Sequence, residues 1–241
     1  MKVFTNELII MFRYFLKVQT TQWVFLGYSI LLPLIMIIPN LSIATHSSSA
    51  ATLNTILPWI GFLTFSNAIT ANSDVVTLRE QGYLKQYKTL VTSLSVFTFS
   101  KQLIWFAMQC AEILLISLVC AILYHINIVF VFGTLLIASA MTYFVLANIF
   151  QFLILLPINA KVLVVVNYIC FAIAFFLAFS ASKFFHLPLW SNPINFLVFC
   201  YRLLVLPRIL PSLGYLTALI LSFIFSRFIL RLVNASPVER G

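Results

Sequence analysis

Between Gln102 and Leu156 the chain carries a single charged side chain, Glu112, and one short interruption, His125–Asn127. About 20 apolar residues cross a bilayer's hydrocarbon as a helix, so this stretch is long enough to cross twice, and its interruption leaves room only for a tight hairpin. A lipid-exposed backbone must satisfy its own hydrogen bonds, which makes each crossing helical. On the same ruler six spans can be marked: Trp23–Ile43, Asn54–Ala71, Gln102–Tyr124, Ile128–Leu156, Val162–Ala181 and Leu213–Val233. A content of 63% hydrophobic and 8% charged residues lies outside soluble globular composition.

Two segments are apolar without being spans. In residues 1–22, Phe4, Leu8, Met11, Phe12 and Phe15 recur at helical spacing, with Asn6, Arg13, Lys17 and Thr20 on the other side. This predicts an amphipathic helix lying in the membrane interface. The polar lead is too long, and the run from Trp23 too extended, for a cleaved signal peptide. The loop 182–212 holds an apolar segment, Pro193–Leu206, bracketed by Pro188, Pro193, Pro207 and Pro211. A run of about 10–14 residues is too short to span and suits a re-entrant or interfacial helix. With no internal repeat and no soluble stretch, residues 1–241 read as one all-α membrane domain.

The net charge of +9 follows the membrane rather than a nucleic acid, because the bases flank apolar runs. With the N-terminus inside, Lys2, Arg13, Lys17, Arg79, Lys85, Lys88, Lys101, Lys161, Arg227, Arg231 and Arg240 are cytoplasmic, leaving Lys183, Arg202 and Arg208 outside. Both termini are therefore expected in the cytoplasm. Cys110, Cys120, Cys170 and Cys200 sit in apolar surroundings without CxxC spacing, and read as small buried hydrophobes. His46, His125 and His186 are scattered over outer loops, so no metal site is expected.

Asn72–Lys101 stands apart as a polar island between the second and third spans, holding two of the five acids and four of the fourteen bases. Its residues Leu78-Arg79-Glu80-Gln81-Gly82-Tyr83-Leu84-Lys85, then Leu90, Thr92-Ser93-Leu94-Ser95 and Lys101, carry a family pattern. The segment resembles the cytoplasmic link between spans two and three of type-2 ABC exporter permeases, the membrane subunits of ATP-binding-cassette exporters. Arg79, Glu80, Gly82, Leu84, Lys85, Thr92, Leu94, Ser95 and Lys101 match; Leu78, Tyr83, Ser93 and Ser100 depart from it at positions where an acid, Thr or Ser, Pro and Gly are usual. The resemblance extends to the order of elements along the whole chain.

That resemblance implies a coupling helix that fits a groove of a separate ATPase subunit, with Arg79, Glu80, Gly82, Tyr83, Leu84, Lys85 and Tyr87 as the docking residues. Read physically, Gly82 can take backbone angles closed to other residues and so turn the chain there. Aromatics and charges of the kind found at Tyr83, Leu84, Tyr87, Arg79, Glu80, Lys85 and Lys88 anchor interfaces; a solvated basic loop is the plainer alternative. The chain has no G-x-x-x-x-G-K-[ST] loop and so is not expected to be an enzyme; the resemblance implies that ATP and Mg belong to the partner subunit and that this chain binds no cofactor. Because one six-span chain is half a transporter of this family, a second copy is implied, as a homodimer or with a related permease. The expected setting is a bacterial plasma membrane. In the family the second and fifth spans face the central cavity, which here brings in Asn67, Asn167, Phe171 and Phe175; the Phe pair also fits lipid or packing contact.

Glu112 is costly within the hydrocarbon and makes function or pairing the default, with Gln109, Asn148 and Gln151 as candidate partners. Asn148 and Gln151, three residues apart, can also bind helix to helix, for about 1 kcal/mol. The expected activity is export of an amphipathic or hydrophobic substrate by alternating access. The alternatives are a proton-coupled secondary transporter using Glu112 and a membrane assembly or immunity protein without a transport cycle. An intramembrane enzyme would need convergent acids, His or metal ligands, and the five acids are dispersed.

Overall fold

A computed structural model of the chain describes residues 2–19, 23–38, 49–84, 86, 93–124, 127–181 and 193–233, and every regular element among them is helical. In order these are α1 (Lys2–Gln19), α2 (Trp23–Ile37), α3 (Ser49–Glu80), α4 (Leu94–Tyr124), α5 (Ile128–Ile149), a 3-10 segment (Phe150–Leu155), α6 (Ala160–Ala181), α7 (Pro193–Val205) and α8 (Ile209–Leu232).

Among the described residues four helices are long and apolar enough to cross a membrane: Leu94–Leu123, Ile128–Leu155, Lys161–Ala178 and Ile209–Leu232. The described elements are thus all helical, with several helices of the length and apolarity of membrane spans. The remaining two expected spans do not meet that measure, for different reasons. The α-helix of the first is 15 residues long, and its expected end at Ile43 lies outside the described residues. The second is long, 32 residues, but is diluted by Thr64, Ser66, Asn67, Thr70, Asn72 and Ser73.

Those polar residues are tolerated because α3 sits at the centre. It packs against α2, α4, α5, the 3-10 segment, α6 and α7, and from Ile56 to Ile69 every side chain is buried. A helix enclosed by protein needs no lipid-facing stripe, and its polar groups are met by neighbouring helices. At about 1.5 Å per residue α3 is about 48 Å long, so it exceeds the hydrocarbon thickness, and the part assigned from its charge to the island, Asn72–Glu80, continues the helix.

Around this axis the periphery is apolar outward. On α6, Val165, Tyr168, Ile169 and Phe176 are exposed; on α8, Ile209, Leu210, Leu221 and Phe228 are. The hairpin between α4 and α5 is closed on the α5 side by Asn127, whose Oδ1 accepts from the N–H groups of Val129 at 3.0 Å and Phe130 at 3.4 Å. Helix α1 turns Met11 and Phe15 inward against Val96, Phe97 and Ile104, and leaves Ile9, Ile10 and Tyr14 exposed, so one face packs on α4 and the other is apolar and uncovered.

The short helix α7 has 13 residues, about 20 Å at 1.5 Å per residue, too short to cross. It buries Ile194, Leu197, Val198 and Cys200 against α3, α5 and α6. Its approach to α3 depends on Gly61, where a Cβ would lie 2.9 Å from Ile194 Cγ2. Gly61→Val is expected to cost about 1–3 kcal/mol by overpacking, read as a lower unfolding midpoint in detergent. Gly133→Ala, where a Cβ meets nothing within 4 Å, should leave the midpoint unchanged or slightly raised.

Candidate functional site

The polar island begins on a locked base. Asp74 Oδ2 accepts from Trp105 Nε1 at 2.9 Å and Lys101 Nζ at 3.2 Å, joining the end of α3 to the start of α4. Lys101 also lies 4.5 Å from the centre of the Phe15 ring, which draws α1 into the same cluster. A cation held between a carboxylate and an aromatic face is stabilised by both.

One helical turn further, Arg79 faces inward and is 4% exposed. Its guanidinium donates to the carbonyl oxygens of Ile154, of Leu156 at 3.0 Å and of Ile158 at 3.3 Å, while Nε pairs with Glu80 Oε1 at 2.9 Å. These carbonyls belong to the end of the 3-10 segment and the link to α6, where a helix terminus leaves acceptors without backbone donors. The planar fork of Arg suits three such acceptors as a Lys would not. The sequence offered Arg79 and Glu80 as charges for a partner; the structure gives them an internal task, clamping α3 to the link between α5 and α6.

Past the clamp the chain turns. Gln81 N–H bonds to Thr77 O and Gly82 N–H to Arg79 O, both at 3.0 Å, and Gly82 has φ +79°. That left-handed angle is strained for a residue with a Cβ, and a glycine just past a helix end is a standard way to stop it. Leu84 is buried with Val76, Phe97 and Leu163, and so pins the turn. Tyr83 is 46% exposed, and Gln81 and Gln86 are exposed beside it. Of the docking residues expected from sequence, Tyr83 points outward, Gly82 makes the turn, Arg79, Glu80 and Leu84 build the base, and Lys85 and Tyr87 lie outside the described residues.

The interior of the bundle holds a second polar system. Asn67 Nδ2 donates to Glu112 Oε2 at 2.8 Å, and Gln109 Nε2 to Thr64 Oγ1 at 2.9 Å. Glu112 is fully buried near the middle of α4. Its donor is thus Asn67, where Gln109, Asn148 and Gln151 were expected: Gln109 is engaged by Thr64, and the other two face elsewhere. Deeper toward the island, Ala147 O accepts from Asn72 Nδ2 at 2.9 Å and Gln102 Nε2 at 3.2 Å, and Tyr143 Oη donates to Gln102 O at 2.7 Å. Where i+4 bonding tightens to i+3, a carbonyl at the junction is left short of its usual donor; Ala147 stands at that junction, and two side chains supply the bonds.

The residues expected to line a substrate cavity are brought together only in part. Ser73 Oγ donates to Asn167 Oδ1 at 2.7 Å, and the Phe175 ring packs on Trp59 and Phe62, so Asn167 and Phe175 lie between α6 and α3. Phe171 is half-buried, and Asn67 is turned to α4. Asn148 and Gln151 do not tie helices together: Asn148 Nδ2 and Gln151 Oε1 are buried without hydrogen-bond partners. Among the described residues no group of three His, Cys, Asp or Glu side chains is placed to hold a metal ion; His46, His125 and His186 lie outside them. No family model, curated protein or solved structure matches this chain.

Proposed function

We propose that this chain is the membrane subunit of an ATP-binding-cassette exporter, carrying an amphipathic or hydrophobic substrate outward while a separate ATPase supplies the energy. The observation that carries the reading is the left-handed turn at Gly82, which ends the extended helix α3 on a clamped base and presents Tyr83. A device that passes motion from a partner to a helix bundle needs a rigid connection, and Arg79, Asp74 and Lys101 supply one. In this reading α2 and α3 complete six spans, both termini are cytoplasmic, and two copies associate in a bacterial plasma membrane.

The test is co-purification from native membranes in mild detergent, comparing the wild type with Tyr83→Ala. Tyr83 contributes little to the chain's own core, so the variant should stay folded while recovering about tenfold less of a Walker-motif ATPase, as befits a truncated aromatic anchor. Absence of any such ATPase from the wild-type preparation would remove the reading. A second reading rests on the buried Glu112–Asn67 pair: a carrier driven by protons through Glu112, which would work without an ATPase partner.

A further inference from the structure

A cavity of about 230 Å³ opens between α1, α4, the α5 end, the 3-10 segment and α8, lined by Phe4, Gln102, Asn148, Gln151, Ser226 and Arg227 among others. Among the described residues that line it none is acidic, and Arg227 is the one with a formal charge. We infer that this cavity is a headgroup site for an anionic phospholipid, with the phosphate on Arg227 and a hydroxyl-bearing headgroup against the amides of Asn148 and Gln151.

The amides carry the argument. Asn148 is 3% exposed and Gln151 2%, yet Asn148 Nδ2 and Gln151 Oε1 have no hydrogen-bond partner among the described residues. A buried polar atom left unpaired costs about 1–3 kcal/mol, so two together at one cavity ask for a ligand that satisfies both. They are brought to one side because residues three apart eclipse in 3-10 geometry, and Asn148 and Gln151 straddle the start of the 3-10 segment. The unpaired N–H needs an acceptor and the unpaired C=O needs a donor, while Arg227 needs an anion. A phosphodiester with free hydroxyls, such as a glycerol headgroup, meets all three demands; a choline headgroup has no donor for Gln151.

Size and position favour a lipid over a cargo molecule. Whole drug-sized ligands occupy about 300–1,000 Å³, more than this cavity holds, whereas a headgroup fits with its acyl chains left outside. Arg227 and Arg231 stand in the last two turns of α8, both exposed, and Phe4 comes from the start of α1. Bases at the end of an apolar run reach for headgroups, and basic pockets between helices are a known form of lipid recognition.

The test uses the full chain in mild detergent, following the unfolding midpoint during titration with dioleoylphosphatidylglycerol, with dioleoylphosphatidylcholine, or with soluble glycerol phosphate. The wild type should be stabilised saturably by the glycerol lipid and not by the choline lipid. Arg227→Gln, at an exposed position that leaves the fold intact, and Gln151→Leu should each weaken that response about tenfold, the loss of one charge-assisted or buried hydrogen bond. Equal stabilisation by the two lipids, or no change in either variant, would overturn the site. A response to glycerol phosphate as strong as to the lipid would replace the membrane lipid with a free phosphate ester as its occupant.

Discussion

Arg79→Ala should destabilise the folded chain by about 3–5 kcal/mol, the range seen when one partner of a buried charged pair is removed. The loss has two parts. The carbonyls of Ile154, Leu156 and Ile158 lose their donors, and Glu80 loses the guanidinium 2.9 Å away. For a protein of this size about 1 kcal/mol moves an unfolding midpoint by about 2–4 °C, so the drop should be on the order of 10 °C in a detergent melt. Arg79→Lys should recover only part of it, because an ammonium cannot reach three carbonyls with the geometry of a fork. Tyr83→Ala, by contrast, should melt like the wild type. If Arg79→Ala melted as the wild type does and lost only partner binding, the guanidinium would belong to the docking surface and the clamp would be wrong.

How far such features can be read from the chain depends on whether they are local. The boundaries of α1, α6 and α7 follow from periodicity, length and proline positions and fall within a few residues of the expected ones, whereas α8 starts at Ile209, four residues before the expected Leu213, because Pro211 is tolerated in its first turn. Gly82 was legible too, since the need for a positive φ at a helix end is a property of neighbouring residues. The clamp was not. Arg79 and Ile154, or Asn72 and Ala147, are 75 residues apart in sequence, and nothing in a charge count says that they meet. Hydropathy also treats Asn and Arg as facing water, whereas Asn72 and Arg79 are buried, Asn72 against the Ala147 carbonyl and Arg79 against the carbonyls at the end of the 3-10 segment and the link to α6. The same error ran the other way at Asn148 and Gln151. Their spacing suggested glue between helices, and the tightening to a 3-10 segment turned them instead into a cavity.

The Asn67–Glu112 bond separates the two transport readings. Asn67→Leu removes the donor 2.8 Å from a fully buried carboxyl and should cost about 1–3 kcal/mol, with more if the group is charged. Glu112→Gln keeps an acceptor for Asn67 Nδ2, so it should lie within about 1 kcal/mol of the wild type. The double variant Asn67→Leu, Glu112→Leu should be less damaged than Asn67→Leu alone, because it removes the buried carboxyl that the single variant leaves without the Asn67 donor. A thermodynamic cycle built from these melts isolates the pair's coupling, and a coupling near zero would mean that the two residues do not meet. Transport then decides the role. In an ATP-driven permease the pair holds α3 against α4, and Glu112→Gln should transport at close to the wild-type rate. In a proton-driven carrier the same substitution removes the group that binds and releases the proton, and transport should stop although the fold survives.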